Sequence, residues 1–229
     1  MKKLFYLITI IIFSLSCKQK DNETEFVLIN NETEHILPEK DSLQCKIQIK
    51  NGVEFETCIS PYDFFILKSS TGELIYKNSN QPYDFTYTDF NEDGYYDIEL
   101  HFMTNVPDVN EILLFNPTSN SFIEIENFSN FPASKKIRGS KYYYSYHRSG
   151  CADLNWDSDL YYIENNIAVK IGNINAIECD DSNERGIYIY KISRDMKKQI
   201  EFIPTEKKDF DNKWEFIEKY WTNNFMNFE

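Results

Sequence analysis

The residues best placed to do chemistry lie in one nine-residue stretch, Asp89-Phe90-Asn91-Glu92-Asp93-Gly94-Tyr95-Tyr96-Asp97. Oxygen-bearing side chains fall at its positions 1, 3, 5 and 9, and glycine falls at position 6. A hard cation such as Ca²⁺ takes six to eight oxygen ligands, so a loop that binds it must curl with alternate side chains turned inward. In such a loop Asp89, Asn91 and Asp93 bind by side chain, Tyr95 by its carbonyl, and Asp97 from the ninth position. Gly94 permits the sharp turn because it has no Cβ to clash at positive φ. An EF-hand would continue to a bidentate Glu at position 12, where this chain has Leu100. Beyond the loop Tyr96, Ile98, Leu100 and Phe102 alternate with polar residues, which is strand periodicity. The competing reading is an Asp-Gly hairpin turn with solvated carboxylates.

Catalytic signatures are missing elsewhere. The chain has no Gly-x-Ser-x-Gly, no His-Glu-x-x-His and no glycine-rich phosphate loop. His147, Ser149 and Cys151 recur every second residue, which puts them on one face of a strand without making a triad. Asp153, Asp157 and Asp159 read as a loop with room for a second cation. A glycosidase needs only two carboxylates at a set separation, yet nothing singles out a pair among the 37 acids. The chain is therefore expected not to be an enzyme.

Around the Asp89 loop the chain resembles the calcium loops of integrin-α-type (FG-GAP/VCBS-like) and related bacterial repeats. Over about residues 83–180 it resembles more closely a family of secreted bacterial β-proteins. That family includes an immunity protein against a type IV secretion peptidoglycan-hydrolase effector, and is similar in fold to periplasmic lysozyme inhibitors. The residues that carry the resemblance are Tyr87 before the loop, the hairpin around Phe115-Asn116-Pro117, and Ser149-Gly150-Cys151. The resemblance implies a binding protein whose inhibitory loop is His147, Arg148, Ser149 and Gly150. Lysozyme-inhibitor loops of the similar fold carry Ser-Gly-x-x-Tyr. Here Ser149 and Gly150 match, but Asp153 stands in place of the Tyr. Arg148 and His147 offer cations that pair a hydrolase carboxylate directly. The plain alternative is a Ser-Gly turn beside a structural disulfide.

The rest of the chain says where such a protein works. Lys2 and Lys3 precede an apolar run, Leu4 to Leu15, that is too short to span a bilayer and reads as a signal-peptide core. Ser14-Leu15-Ser16-Cys17 resembles a lipobox, so Cys17 is expected to be lipidated and to anchor the protein to a membrane without spanning it. Residues 17–34 are polar and charged and read as a tether. The remaining cysteines, Cys45, Cys58, Cys151 and Cys179, allow three pairings. Cys45–Cys58 and Cys151–Cys179 are favoured, since each pair brackets a local hairpin. Zinc is the lesser alternative, because no Cys-x-x-Cys exists and His35, His101 and His147 are scattered. All of this places the chain in the bacterial cell envelope.

Charge narrows the partners. The net charge of −13 argues against nucleic acid, which needs a basic surface. Losing Lys2 and Lys3 with the signal leaves 22 basic residues against 37 acidic, a net −15, and such a field steers a basic protein inward. Many short alternating runs separated by turn residues predict an all-β domain over 35–204. Its form is expected to be an antiparallel sandwich or a small propeller-like β-domain. Residues 205–229 differ: Phe210, Trp214, Ile217, Trp221, Phe225 and Phe228 recur at three- and four-residue steps, the stripe of an amphipathic α-helix. Three functions follow for test. One is an inhibitory lipoprotein with structural Ca²⁺ that binds a cell-wall hydrolase, possessing a basic surface. The second is a general envelope interaction module, and the third a glycan hydrolase.

Overall fold

The computed structural model describes residues 43–179, 184–194, 196–207 and 212–229. The signal segment, Cys17, the tether to residue 34, and Phe210 lie outside these residues. Among the described residues fifteen strands form three antiparallel sheets with no closed barrel. The first sheet is the meander β1 (Gln44–Lys50), β2 (Val53–Ile59), β3 (Phe64–Lys68) and β4 (Glu73–Asn78). The second is the meander β5 (Asp84–Thr88), β6 (Asp97–His101), β7 (Asn110–Asn116) and β8 (Ser121–Glu124). The third runs β15 (Met196–Pro204), β14 (Gly186–Ser193), β13 (Ile167–Ile177), β12 (Trp156–Glu164), β10 (Tyr142–Tyr144), β9 (Lys135–Lys136), with β11 (His147–Arg148) also on β12. The helix α1 spans Lys213–Asn224.

Turn chemistry sets the first hairpin. Asn51 and Gly52 have φ of 49° and 75°, and two positive φ values in a two-residue loop twist the flanking strands the right way. The register then sets Cys45 opposite Cys58, and these two are disulfide-bonded with Cα atoms 4.1 Å apart.

The second sheet is apolar on both sides. From its first face Phe85, Ile98, Leu100, Leu113, Phe115 and Phe122 pack on Phe55, Ile59, Phe64 and Ile66 of the first sheet. From its other face Ile112, with Ile125 and Phe128 beyond β8, packs on Tyr143, Tyr161 and Ala168 of the third. The far side of the third sheet buries Trp156, Leu160, Ile174 and Ile189 against Ile217, Trp221 and Phe228. The order of layers is sheet, sheet, sheet, helix, which is the sandwich alternative extended by one layer.

One local expectation changes. The helix begins at Lys213 rather than near 205, because Thr205–Lys207 form a 3₁₀ turn and the Asn212 side chain caps α1 by accepting from Trp214 N at 3.0 Å. Of the apolar stripe, Ile217, Trp221 and Phe228 are buried, while Trp214 stays 46 % exposed. In β1 Ile47 and Ile49 are exposed, Lys50 points inward, and the exposed Lys46 reaches over the Phe85 ring. β1 is an edge strand, and inward charges are one way such an edge is kept from pairing with another chain.

Candidate functional site

Two sites were expected from the sequence, and they lie in different parts of the fold. The Asp89 loop joins β5 to β6. Its acids hold its own turn together. Asp89 accepts from Asp93 N at 3.0 Å and from Gly94 N at 3.1 Å, and Asn91 Oδ1 accepts from Asp93 N at 3.0 Å. Asp93 accepts from Tyr95 N at 2.8 Å and from the Asn91 amide at 2.9 Å. Gly94 takes φ of 89°, as the turn requires. Asp97 is fully buried, and its two oxygens accept from Phe90 N at 3.0 Å and Phe115 N at 2.9 Å. Burial pushes its carboxyl up to about 6, against those two backbone hydrogen bonds.

The donor set fits a hard cation: carboxylate, carboxamide and carbonyl oxygens, with no nitrogen or sulfur. A carboxylate offers about four lone pairs, so the turn bonds of Asp89 and Asp93 leave acceptor capacity over. The carboxylates are not drawn into one tight cluster. Among the described residues, the set of His, Cys, Asp or Glu whose ligand atoms all lie within 4.8 Å is Cys45, Glu56 and Cys58, and both cysteines are bonded. Ca²⁺ binding would therefore need Asp89 and Asp93 to swing their free lone pairs inward.

A neighbour of this loop was not legible in the sequence. Lys50 is 5 % exposed, and its ammonium has no hydrogen-bond partner among the described residues. The Tyr87, Tyr96, Phe115 and Phe122 rings surround it, with centroids 5.3–5.6 Å away. Burial pulls this ammonium down to about 8, while Asp97, Asp93 and Asp89 pull the other way. Lys136 reaches the loop from the third sheet, donating to the Asn91 carbonyl and pairing Glu92 at 3.3 Å.

The second site is the turn after β11. His147 and Arg148 pair with Asp157 and Trp156. Gly150 follows at φ 112°, and then Cys151, Ala152 and Asp153 take φ of 51°, 50° and 75°. Three successive non-glycine residues on the left-handed side of the map are strained, because Cβ crowds the following carbonyl. Several restraints hold them. Cys151 is disulfide-bonded to Cys179, and Asn155 Oδ1 accepts from Glu178 N at 2.7 Å and Cys179 N at 3.3 Å. Lys213 from α1 donates to the Asp153 carboxylate, to the Asp153 carbonyl at 3.2 Å and to the Tyr146 hydroxyl at 2.7 Å. The Tyr146 hydroxyl donates to Asp153 in turn. Burial alone would raise the Asp153 carboxyl, but the bonds from Lys213 and Tyr146 outweigh it and hold the group below its ordinary range.

The four residues expected to bind a partner are neighbours in this turn but do not all face one way. Arg148 shares a pocket of about 240 Å³ with Tyr146, Asp153, Pro107 and Trp214, on the helix side. His147 also borders a cleft on the opposite face of the sheet. Ser149 and Gly150 are exposed at the tip. Asp153, Asp157 and Asp159 do not converge as a second cation site: Asp153 meets Lys213, while Asp157 and Asp159 meet the amide of Asn173 at 3.1 and 2.8 Å. Lys213 and Trp214 were read only as parts of a helix. The signal that could have marked them is their position in its first turn, one turn before the buried stripe.

No protein-family model matches the chain, and no curated protein matches it. A solved structure of a Xanthomonas type IV secretion system related protein matches at 14 % identity, with a TM-score of 0.41, over 69 % of this chain and 85 % of that one.

Proposed function

We propose that this chain is an exported envelope protein that binds another protein and inhibits it, with the turn at 147–154 as its recognition element. The observation that carries this reading is the strained run Cys151-Ala152-Asp153, braced at once by a disulfide and by Lys213 of α1. Strain of this kind persists only where the surroundings over-determine it, and it clusters at binding and catalytic sites. A braced loop also loses little freedom on association. Beside it stand Arg148 and a half-exposed Trp214 that rests on the buried Tyr146 ring; Arg and Trp are among the residue types that dominate binding hot spots.

The partner we favour is a cell-wall hydrolase with a basic surface. Arg148 would pair one of its carboxylates, and the acidic charge of this chain would steer it in. Two disulfides suit an oxidising compartment, and no helix among the described residues is long and apolar enough to cross a membrane. Lipidation at Cys17 and one structural Ca²⁺ at the Asp89 loop complete the proposal. The test is capture of a partner from the native envelope, followed by inhibition assays on it. Arg148→Ala and Ser149→Ala should each weaken inhibition without moving the melting temperature by more than a few degrees. Full inhibition by the double variant would remove the site from this turn.

A further inference from the structure

The ladder between β13 and β14 ends before either strand does. Its last paired residues are Gly172 and Lys191. Beyond them β13 continues against β12, and β14 against β15, so the two strands part as a fork. A cleft of about 510 Å³ opens in this fork, a size within the range of small-ligand sites. Val169, Lys170 and Ile171 line one arm, and Ile192, Ser193 and Arg194 the other. Lys141 and Tyr162 border it, as do Phe228 and Glu229 from the turn that follows α1. The Phe228 ring packs so closely on Gly172 that a Cβ there would meet it at 2.7 Å, which stops the cleft at the fork point.

The lining is basic in a chain whose net charge is −13. It carries four cations, Lys141, Lys170, Lys191 and Arg194, against one carboxylate, Glu229. Asp159, outside the cleft, matches Lys170 at 2.6 Å. Glu229, which accepts from the Tyr142 hydroxyl, matches one cation more. Two positive charges are left over. Among the described residues no carboxylate pairs Lys141 or Arg194. The Lys141 ammonium lies 5.2 Å from the centroids of the Tyr142 and Tyr162 rings, and Lys191 donates to the Asn227 and Glu229 carbonyls. Those contacts place both ammoniums without neutralising them. Lys198 stands directly opposite Lys191 in register, and like charges so placed destabilise a sheet. An anion in the fork removes that cost. A residual charge of two is what a phosphate monoester brings at neutral pH, about −1.5 to −2. Its oxygens accept from ammonium groups and, in bidentate geometry, from a guanidinium. A carboxylate or a sulfate ester brings one charge and leaves a cation unmatched. The half-buried Val169, Ile171 and Ile192 stand beside the body of such an ester.

We infer that the fork between β13 and β14 is a binding site for a phosphate monoester, held by Lys141, Lys191 and Arg194. Of these, Lys191 keeps one of its three N–H donors for the ligand. The site shares no residue with the turn at 147–154, and either reading can fail without the other.

The purified protein should be titrated by calorimetry, at neutral pH and constant ionic strength, with phenyl phosphate, glycerol phosphate and phenyl sulfate. In parallel it should be sedimented with phosphatidylcholine vesicles that carry phosphatidic acid or, as the singly charged counterpart, phosphatidylglycerol. Binding of a soluble ester assigns the site to a small phosphorylated molecule, and binding of phosphatidic acid vesicles alone assigns it to a lipid headgroup. In one form or the other the monoester should bind with a Kd tighter than about 1 mM, and at least about fivefold tighter than its singly charged counterpart. Lys141 and Arg194 are exposed, so Lys141→Gln and Arg194→Gln should leave the melting temperature in place. Each should weaken binding at least about threefold, and the pair about tenfold. Ser193→Glu, which sets a carboxylate in the lining, should weaken it as well, and Arg148→Ala should not change it. Failure of every monoester, soluble or in vesicles, overturns the inference. So does equal binding of the singly charged counterpart, or binding that the double variant and Ser193→Glu leave intact.

Discussion

Ala152→Gly tests the strained turn directly. Ala152 is exposed, so removing its methyl leaves no cavity. Its φ of 50° holds Cβ against the following carbonyl, which costs about 1–2 kcal/mol for a non-glycine residue. Glycine removes that cost but loses about 0.5–1 kcal/mol more backbone entropy on folding. The net is a gain of about 0.5–1 kcal/mol, or roughly 1–4 °C in melting temperature for a domain of this size. Thermal unfolding followed by circular dichroism reads the shift. Ala152→Val, a β-branched residue in the same conformation, should move the midpoint down. The inhibition should run opposite to the stability, since a loosened turn pays more to order on binding. Ala152→Gly should therefore be more stable and a poorer inhibitor. A fall in melting temperature for the glycine variant would refute the left-handed geometry at 152, and unchanged inhibition would refute its role in pre-ordering the turn.

Ca²⁺ at a hundredfold excess over Kd should add about 2.7 kcal/mol, raising the melting temperature by roughly 5–10 °C; Asp93→Ala should abolish that shift, and a wild-type curve indifferent to EDTA would reduce the loop to a turn. Asp97→Asn keeps an acceptor for one of the two backbone N–H groups and turns an amide donor on the other, so it should cost about 1–3 kcal/mol even in EDTA. Replacing Cys151 and Cys179 by serine opens a 28-residue loop, which should lower stability by about 3.5 kcal/mol in denaturant titrations. Lys213→Met removes the cation that holds the Asp153 carboxyl low. A depressed carboxyl contributes stability above its unfolded value and loses it as pH falls through the folded one. The wild type should therefore be the more stable at neutral pH, and the two melting curves should converge below about pH 4.

The elements that were legible in the sequence are those whose cause is local. Asn51-Gly52 specified the first hairpin and its register, and with it the Cys45–Cys58 pair. The spacing of Asp89, Asn91, Asp93 and Gly94 specified a tight turn, whose self-capping bonds are all within five residues. The stripe Ile217, Trp221 and Phe228 specified a docked helix. What failed depended on distance. Lys50 is enclosed by rings from β5, β7, β8 and the loop end, and no pattern within β1 announces them. Ile47 and Ile49 belong to an alternating run, and alternation alone does not say which face is buried: they sit on the outer face of an edge strand. Asp157/Asp159, Asn173/Asn175 and Tyr188/Tyr190 are each visible as a two-residue repeat. Only cross-strand register turns them into rows.

The brace on Asp153 also has an order in time. Lys213 lies 60 residues after the carboxylate it holds, and α1 follows every strand in the chain. A chain that emerges from its N-terminal side completes all three sheets, and brings Cys179 to Cys151, before the ammonium arrives. The turn is then tied at one end and unbraced at the other. The turn is fully braced only once α1 docks, so the helix acts as a latch that closes last. Because the same segment buries Ile217, Trp221 and Phe228 against the third sheet, the brace on the turn and the closing of that core are one event.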